Sequence, residues 1–227
     1  MQRKSFKISR HSARRKRAIR LVSYLKRAYP SPKSELTYTT PFQFVVAVIL
    51  SAQCTDKAVN KTTAVLFRRY KTPDDFARAQ PTAFSSEISS IPFFRNKAKA
   101  IISSAKDVVR RHRGIVPKSE WELIELRGVG YKTAHVILGE LYGAWEGIPT
   151  DTHVKRFAYR FDLSDKSDLK KISKDLESLV PKKDWKYVNN GLVLYGRYVC
   201  PARKHDCSKH PLTKIWPKAS RRWPTTH

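Results

Sequence analysis

"ELRGVGYKTAHVILGELYG", residues Glu125 to Gly143, sets two glycines one residue apart just ahead of a helical apolar pattern. The spacing predicts a short helix ending at Leu126, a tight turn over "RGVG", and a second helix from Tyr131 to Tyr142. Gly128 and Gly130 permit positive φ and leave backbone N–H groups uncovered at a helix start. Free N–H groups and the helix dipole both favour an anion there, so the turn suits a phosphate oxygen. A plain tight turn explains the same glycines about as well; the basic surroundings and Lys132 tilt the reading toward an anion seat. Val129, between the glycines, can plug into the helix pair.

Helical patterns continue on both sides. Upstream, Thr40 and Pro41 cap "FQFVVAVIL", which is apolar all round and therefore central. Thr55 opens "DKAVNKTTAVLFRRY", and Thr72 with Pro73 opens "DDFARAQ". "NKAKAIISSAKDVVRRHRG" spaces Ala98, Ile101, Ile102, Ala105, Val108 and Val109 helically and stops at Gly114. Ser119 with Glu122 predicts a capping box. From Ala13 an N-terminal helix places Ala18, Leu21, Val22, Leu25 and Ala28 on one face, closed by Pro30. Downstream, helices are expected over Thr152–Phe161, Asp168–Val180 and Trp185–Val199. No strand pair is visible, so the fold class is all-α.

Charge narrows the partners. The 227 residues carry a net +27, with no acid before Glu35 and nine Lys or Arg among the first twenty residues. Such a charge raises self-repulsion and points to a polyanion, nucleic acid before an anionic membrane surface. A solvated basic face is the plain alternative. Five Trp and ten Phe imply a larger packed core than a coating protein needs. Three cysteines do not make a disulfide framework and fit a reducing compartment. "FVVAVIL", residues 44–50, is too short to span a bilayer, and the N-terminus lacks the apolar core of a secretory signal. The expected location is cytoplasm or nucleoid, or a nucleus, with organellar targeting left open.

"LRGVGYKTA" resembles the helix-hairpin-helix of the DNA glycosylase superfamily, and "PTDTHVKRF" its Asp-bearing segment. "ILSAQCTDKAVNKTTAVL" is similar to a helix pair of endonuclease III enzymes. The likeness runs from about Ser34 to Asp206. It implies two helical lobes: a central six-helix lobe over residues 36–143, and a second built from 1–35 and 144–227. A DNA-binding cleft would lie between them, with Lys132 and Asp151 facing across it.

What the resemblance implies about chemistry follows residue by residue. Lys132 is the expected nucleophile: dipole and nearby cations disfavour an ammonium, and a free amine can attack C1′ of the sugar. A phosphate contact is its other possible role. Asp151 is expected to stabilise positive charge on the sugar, beside its plain role as a helix cap. Gln53 corresponds to the glutamine that fills the hole left by a flipped base, and Phe93 to an apolar wedge on the opposite side. Core packing is the plain role for Phe93 or Phe94. Arg127, Gly128, Val129, Gly130 and Thr133 of the hairpin, with His153, Arg203 and Lys204, complete the expected DNA contacts. Arg127 stands where a proline is common in the family.

Endonuclease III enzymes usually end in four cysteines spaced C-x6-C-x2-C-x5-C that hold a [4Fe–4S] cluster. Here Cys200 and Cys207 match, but His210 and Trp216 take the other positions. Four thiolates normally hold such a cluster and an indole is no ligand, so the cluster is expected to be absent. Zinc on Cys200, Cys207 and His210 is the alternative, weighed below a loop with no metal. His205 is a conceivable fourth ligand, though, only two residues from Cys207, it stands awkwardly for tetrahedral closure.

The expected function is a bifunctional DNA glycosylase and AP lyase acting on oxidised pyrimidines in damaged double-stranded DNA, as a monomer. A mismatch-specific glycosylase of the same fold and a catalytically silent DNA binder are the competing readings.

Overall fold

The structure, a computed structural model, describes residues 2–224, with side chains from residue 10 onward. Twelve α-helices follow in order: α1 (Gln2–Ala28), α2 (Pro41–Ser51), α3 (Asp56–Arg69), α4 (Pro73–Ala77), α5 (Pro81–Glu87), α6 (Phe94–His112), α7 (Glu120–Glu125), α8 (Tyr131–Tyr142), α9 (Thr152–Arg160), α10 (Leu169–Leu179), α11 (Leu192–Tyr198) and α12 (Pro211–Ile215). There is no strand among the described residues, and none of their helices is long and apolar enough to cross a membrane. The chain divides into two compact units, Ser34–Glu146 and Met1–Lys33 joined with Gly147–His227.

In the unit Ser34–Glu146, α2 is the centre. Thr40 accepts from the Gln43 N–H and Gln43 Oε1 accepts from the Thr40 N–H, a capping box with Pro41 at the first helical position. Residues 42–50 are then buried on every side, as the unbroken apolar run predicts. Phe76 of α4 stacks on Tyr70 at 5.1 Å and meets Phe42 and Phe84 edge-on at 5.5 and 6.0 Å. Burying a phenyl ring this way contributes about 3 kcal/mol. α6 packs Ala98, Ile101, Ile102, Ala105 and Val108 into the same core.

Two expectations fail here. The unit has seven helices, because α5 begins at Pro81 behind Gln80, a start whose cap forms no side-chain hydrogen bond and left little signal. Ser119 forms no capping box: its hydroxyl donates to the Glu122 carboxylate and does not accept from the helix backbone.

In the other unit, α1 begins at Gln2, well before the expected Ala13, and buries Ala18, Leu21, Val22 and Leu25. Its arginines are partly committed. Arg10, Arg14 and Arg17 all bond Asp162, and Arg17 also donates to the Phe161 and Asp162 carbonyls that end α9. Burial pushes the Asp162 carboxyl up, but the bonds and charges of Arg14, Arg10 and Arg17 outweigh it and hold it below its ordinary range. These three cations serve the fold, so the basic helix has fewer charges free for a polyanion than its composition suggests. The segment expected as a helix over Trp185–Val199 is helical from Trp185 to Tyr198, with a π-turn at Tyr187–Gly191 running into α11.

Candidate functional site

The hairpin is α7, the turn at residues 126–130, and α8. Leu126 is buried and its carbonyl accepts from the Val129 N–H at 3.0 Å, which tucks the buried Val129 side chain between the helices. Gly128 has φ +87°, and a Cβ there would lie 3.0 Å from Ala100 Cβ, so both backbone sign and packing demand glycine. Gly130 departs from expectation. Its φ is −93°, and a Cβ would meet nothing within 4 Å. Glycine at 130 therefore serves no contact within the chain and leaves the start of α8 uncovered. No side chain caps that start, and the first intrahelical bond runs from the Ala134 N–H to the Gly130 carbonyl. Uncovered N–H groups at a helix start form an anion seat.

Lys132 stands exposed in the first turn of α8, Thr133 half-buried beside it, and Arg127 exposed on the turn. The hairpin is fixed from behind. Ser104 donates to the Arg127 carbonyl at 2.7 Å, and buried His135 meets Glu120 Oε2 at 2.6 Å, tying α8 to α7.

Gln53 and Phe93, in the same unit, share an unusual backbone. Both are exposed and both hold positive φ, 53° and 58°, in the left-handed region that non-glycine residues seldom adopt. Phe93 is 61% exposed while Phe94 packs against the core, so the core role falls to Phe94. One residue supports both turns. Buried Lys97 donates from Nζ to the Leu50 and Ala52 carbonyls at 2.9 and 2.6 Å, and its N–H bonds the Phe93 carbonyl at 3.1 Å. Burial lowers its pKa, with the nearby Cys54 opposing. Sequence reasoning missed Lys97; its signal was a lysine on the apolar face of α6, next to Ala98 and one turn from Ile101.

The second unit carries the remaining candidates. Asp151 is the N-cap of α9 and accepts from the Val154 N–H at 2.9 Å through Oδ1. His153 is half-buried against α11, so close to Gly196 that a Cβ there would collide with its ring. Buried Arg156 donates to the Cys200 and Pro201 carbonyls at 2.6 and 2.8 Å and fixes the start of the C-terminal loop. Arg203 and Lys204 are exposed on that loop.

The loop corrects the metal expectation. Cys200, His205 and Cys207 bring their ligand atoms within 4.8 Å of one another, a group that can hold a metal ion. His205, expected to be awkward, is a member, with Nε2 3.8 Å from Cys200 Sγ. His210 lies outside this set, although its ring is 5.1 Å from that of His205. The donors do not fit a four-thiolate cluster. Only two sulfurs are present, and Trp216 packs against Phe161 with the Arg17 guanidinium 4.8 Å over its ring.

Comparison with known proteins agrees with this geometry. Residues 46–182 match the family described as HhH-GPD superfamily base excision DNA repair protein. Endonuclease III of Synechocystis sp. is 40% identical over 92% of this chain and 95% of its own length. Endonuclease III of Bacillus subtilis is 38% identical over 86% and 89%. A solved structure of a trapped endonuclease III–DNA covalent intermediate, an estranged-adenine complex, superposes with a TM-score of 0.84 at 32% identity, covering 91% of this chain and 97% of that one. By sequence and fold, the chain belongs to the endonuclease III family within the HhH-GPD superfamily of base excision DNA repair proteins.

Proposed function

We propose that this protein is a bifunctional DNA glycosylase and AP lyase that removes oxidised pyrimidines from duplex DNA. The observation that carries the reading is an exposed lysine in the first turn of α8, directly behind an uncapped helix start. A phosphate seated on the N–H groups of residues 130–132 brings the deoxyribose of a neighbouring nucleotide within reach of the amine.

The chemistry then runs in four stages. Lys132 Nζ attacks C1′, and the N-glycosidic bond breaks with its electron pair leaving on the base, which takes up a proton. The C1′–O4′ bond opens, O4′ is protonated, and the nitrogen becomes an iminium. Loss of a C2′ proton expels the 3′ phosphate, which cuts the strand. Water finally releases the sugar remnant from Lys132. Asp151 is assigned the electrostatic role of stabilising positive charge at the sugar while C1′ is attacked.

Gln53 and Phe93 are assigned to the helix gap left by the extruded base. Arg127, Gly128, Val129, Gly130, Thr133, His153, Arg203 and Lys204 are assigned to backbone contacts, which the net charge of +27 favours electrostatically. The enzyme is read as a monomer acting where the cell's DNA lies, in a reducing compartment, without a [4Fe–4S] cluster. A duplex with one oxidised pyrimidine tests the proposal. Wild type is expected to release the base and cut the strand, and Lys132→Gln to bind but do neither. Base release without strand cleavage by the wild type would contradict the lyase assignment and favour a monofunctional glycosylase.

A further inference from the structure

The loop that departs from the four-cysteine pattern has a geometry of its own. Cys200 and Cys207 are 1% and 0% exposed, and both are free thiols. Zinc bound by sulfur at about 2.3 Å and imidazole nitrogen at about 2.0 Å sets a tetrahedral S–N edge of about 3.6 Å. The Cys200 Sγ–His205 Nε2 separation is 3.8 Å, already near that edge. It is long for an ordinary hydrogen bond but close to the spacing of two ligands on one ion.

The histidine is oriented for this task. His205 Nδ1 lies 2.7 Å from the Arg203 carbonyl, which can only accept. The proton therefore sits on Nδ1, and the Nε2 lone pair is turned toward the sulfur. A ligand imidazole fixed through its other nitrogen by a carbonyl is the usual outer arrangement of a metal site.

His210 supplies a second, independent observation. Its Nδ1 is buried without a hydrogen-bond partner among the described residues. A buried polar atom left so is costly, and an ion would satisfy it once the ring, now 5.1 Å from that of His205, closes on the group. The residue is also placed by the chain: its N–H bonds the Cys207 carbonyl at 3.0 Å, one short turn past the second thiol.

Arg160 completes the electrostatics. Its fully buried guanidinium donates to Cys200 Sγ at 2.9 Å, to Cys207 Sγ at 2.7 Å and to the Ala219 carbonyl at 3.0 Å, with the Trp223 ring 3.9 Å away. Both sulfurs accept N–H bonds from one guanidinium, and each keeps a further lone pair for an ion. Two thiolates with two imidazoles suit zinc and offer nothing to calcium or magnesium, which take oxygen donors.

We propose that Cys200, His205 and Cys207, with His210 as the fourth ligand, bind one zinc ion in place of the four-thiolate cluster of the family. The two thiols give up their protons to solvent as the ion binds, with no change of oxidation state. The ion ties the exposed segment bearing Arg203, Lys204 and Lys209 to the buried floor formed by Arg160.

The test is metal analysis of the untagged full-length chain after dialysis, followed by cobalt exchange. About one zinc per chain is expected, with a thiolate-to-cobalt charge-transfer band after exchange. His205→Ala, on a half-exposed loop residue, should cut retained zinc to below about one-tenth per chain without unfolding the protein. Cys207→Ser should do the same, and circular dichroism separates loss of metal from loss of fold. Four results overturn the proposal: no retained metal in the wild type, full retention in His205→Ala, iron with acid-labile sulfide, or a Cys200–Cys207 disulfide in unreduced protein. Unchanged zinc affinity in His210→Ala removes His210 as the fourth ligand.

Discussion

The hairpin at residues 125–143 and the loop at residues 200–216 both match family patterns in the sequence, yet they depend on their residues in different ways. The hairpin works through its backbone. Gly128 sets a chain reversal, Gly130 leaves N–H groups uncovered, and Lys132 is the side chain proposed to react. The loop works through ligand atoms, and there a change at two positions alters the whole donor set. Arg160 donates to both remaining sulfurs, with the Trp223 ring against its guanidinium. The hairpin's shape rests on glycine at the one position with positive φ, Gly128, whereas the loop's donor set rests on the identity of each ligand side chain.

The sharpest way to break this comparison is Lys132→Gln. If the hairpin carries the chemistry, strand cleavage should fall by at least about a thousandfold, near 4 kcal/mol, while affinity for a damaged duplex changes only a few-fold. Single-turnover cleavage and a binding titration on the same duplex check it. Gly128→Ala comes next. A left-handed alanine whose Cβ sits 3.0 Å from Ala100 should cost about 2–4 kcal/mol of stability by urea unfolding.

Asp162→Asn is expected to cost about 2 kcal/mol, since Arg14 and Arg17 would keep their charges half-buried without the carboxylate. Its pH dependence has a definite sign. The Asp162 pKa is lowered on folding, so its contribution is present above the unfolded aspartate value and is lost as pH falls through the folded one. Acid unfolding should therefore separate wild type from variant less as pH drops. The smallest effect belongs to Gly130→Ala, within about 0.5 kcal/mol in stability because its Cβ meets nothing. Weaker DNA binding without lost stability would mark that position as part of the anion seat. Equal binding would remove it.

The helices were legible where one residue's neighbours in sequence are its neighbours in space. The Thr40 cap with Pro41, the apolar run of α2 and the Gly128 turn are local, and each formed as read. Gly130 misled because two glycines in a turn look alike until the backbone is drawn. Ser119 misled because its hydroxyl had a better acceptor, the Glu122 carboxylate, than the helix could offer. Lys97 and Arg160 were invisible for a different reason. Each earns its place through partners more than 30 residues away, Leu50 and Ala52 for one, Cys200 and Cys207 for the other. The link from His205 to Cys200 spans only five residues, but it required the loop to fold back on itself, which spacing alone did not reveal.

The most direct test of the central claim is borohydride trapping on a duplex with a single abasic site, followed by peptide mapping of the adduct. The account predicts a covalent protein–DNA adduct from the wild type, mapped to Lys132, and none from Lys132→Gln. An adduct of equal yield from the variant, or tight binding by the wild type with no adduct, would contradict it.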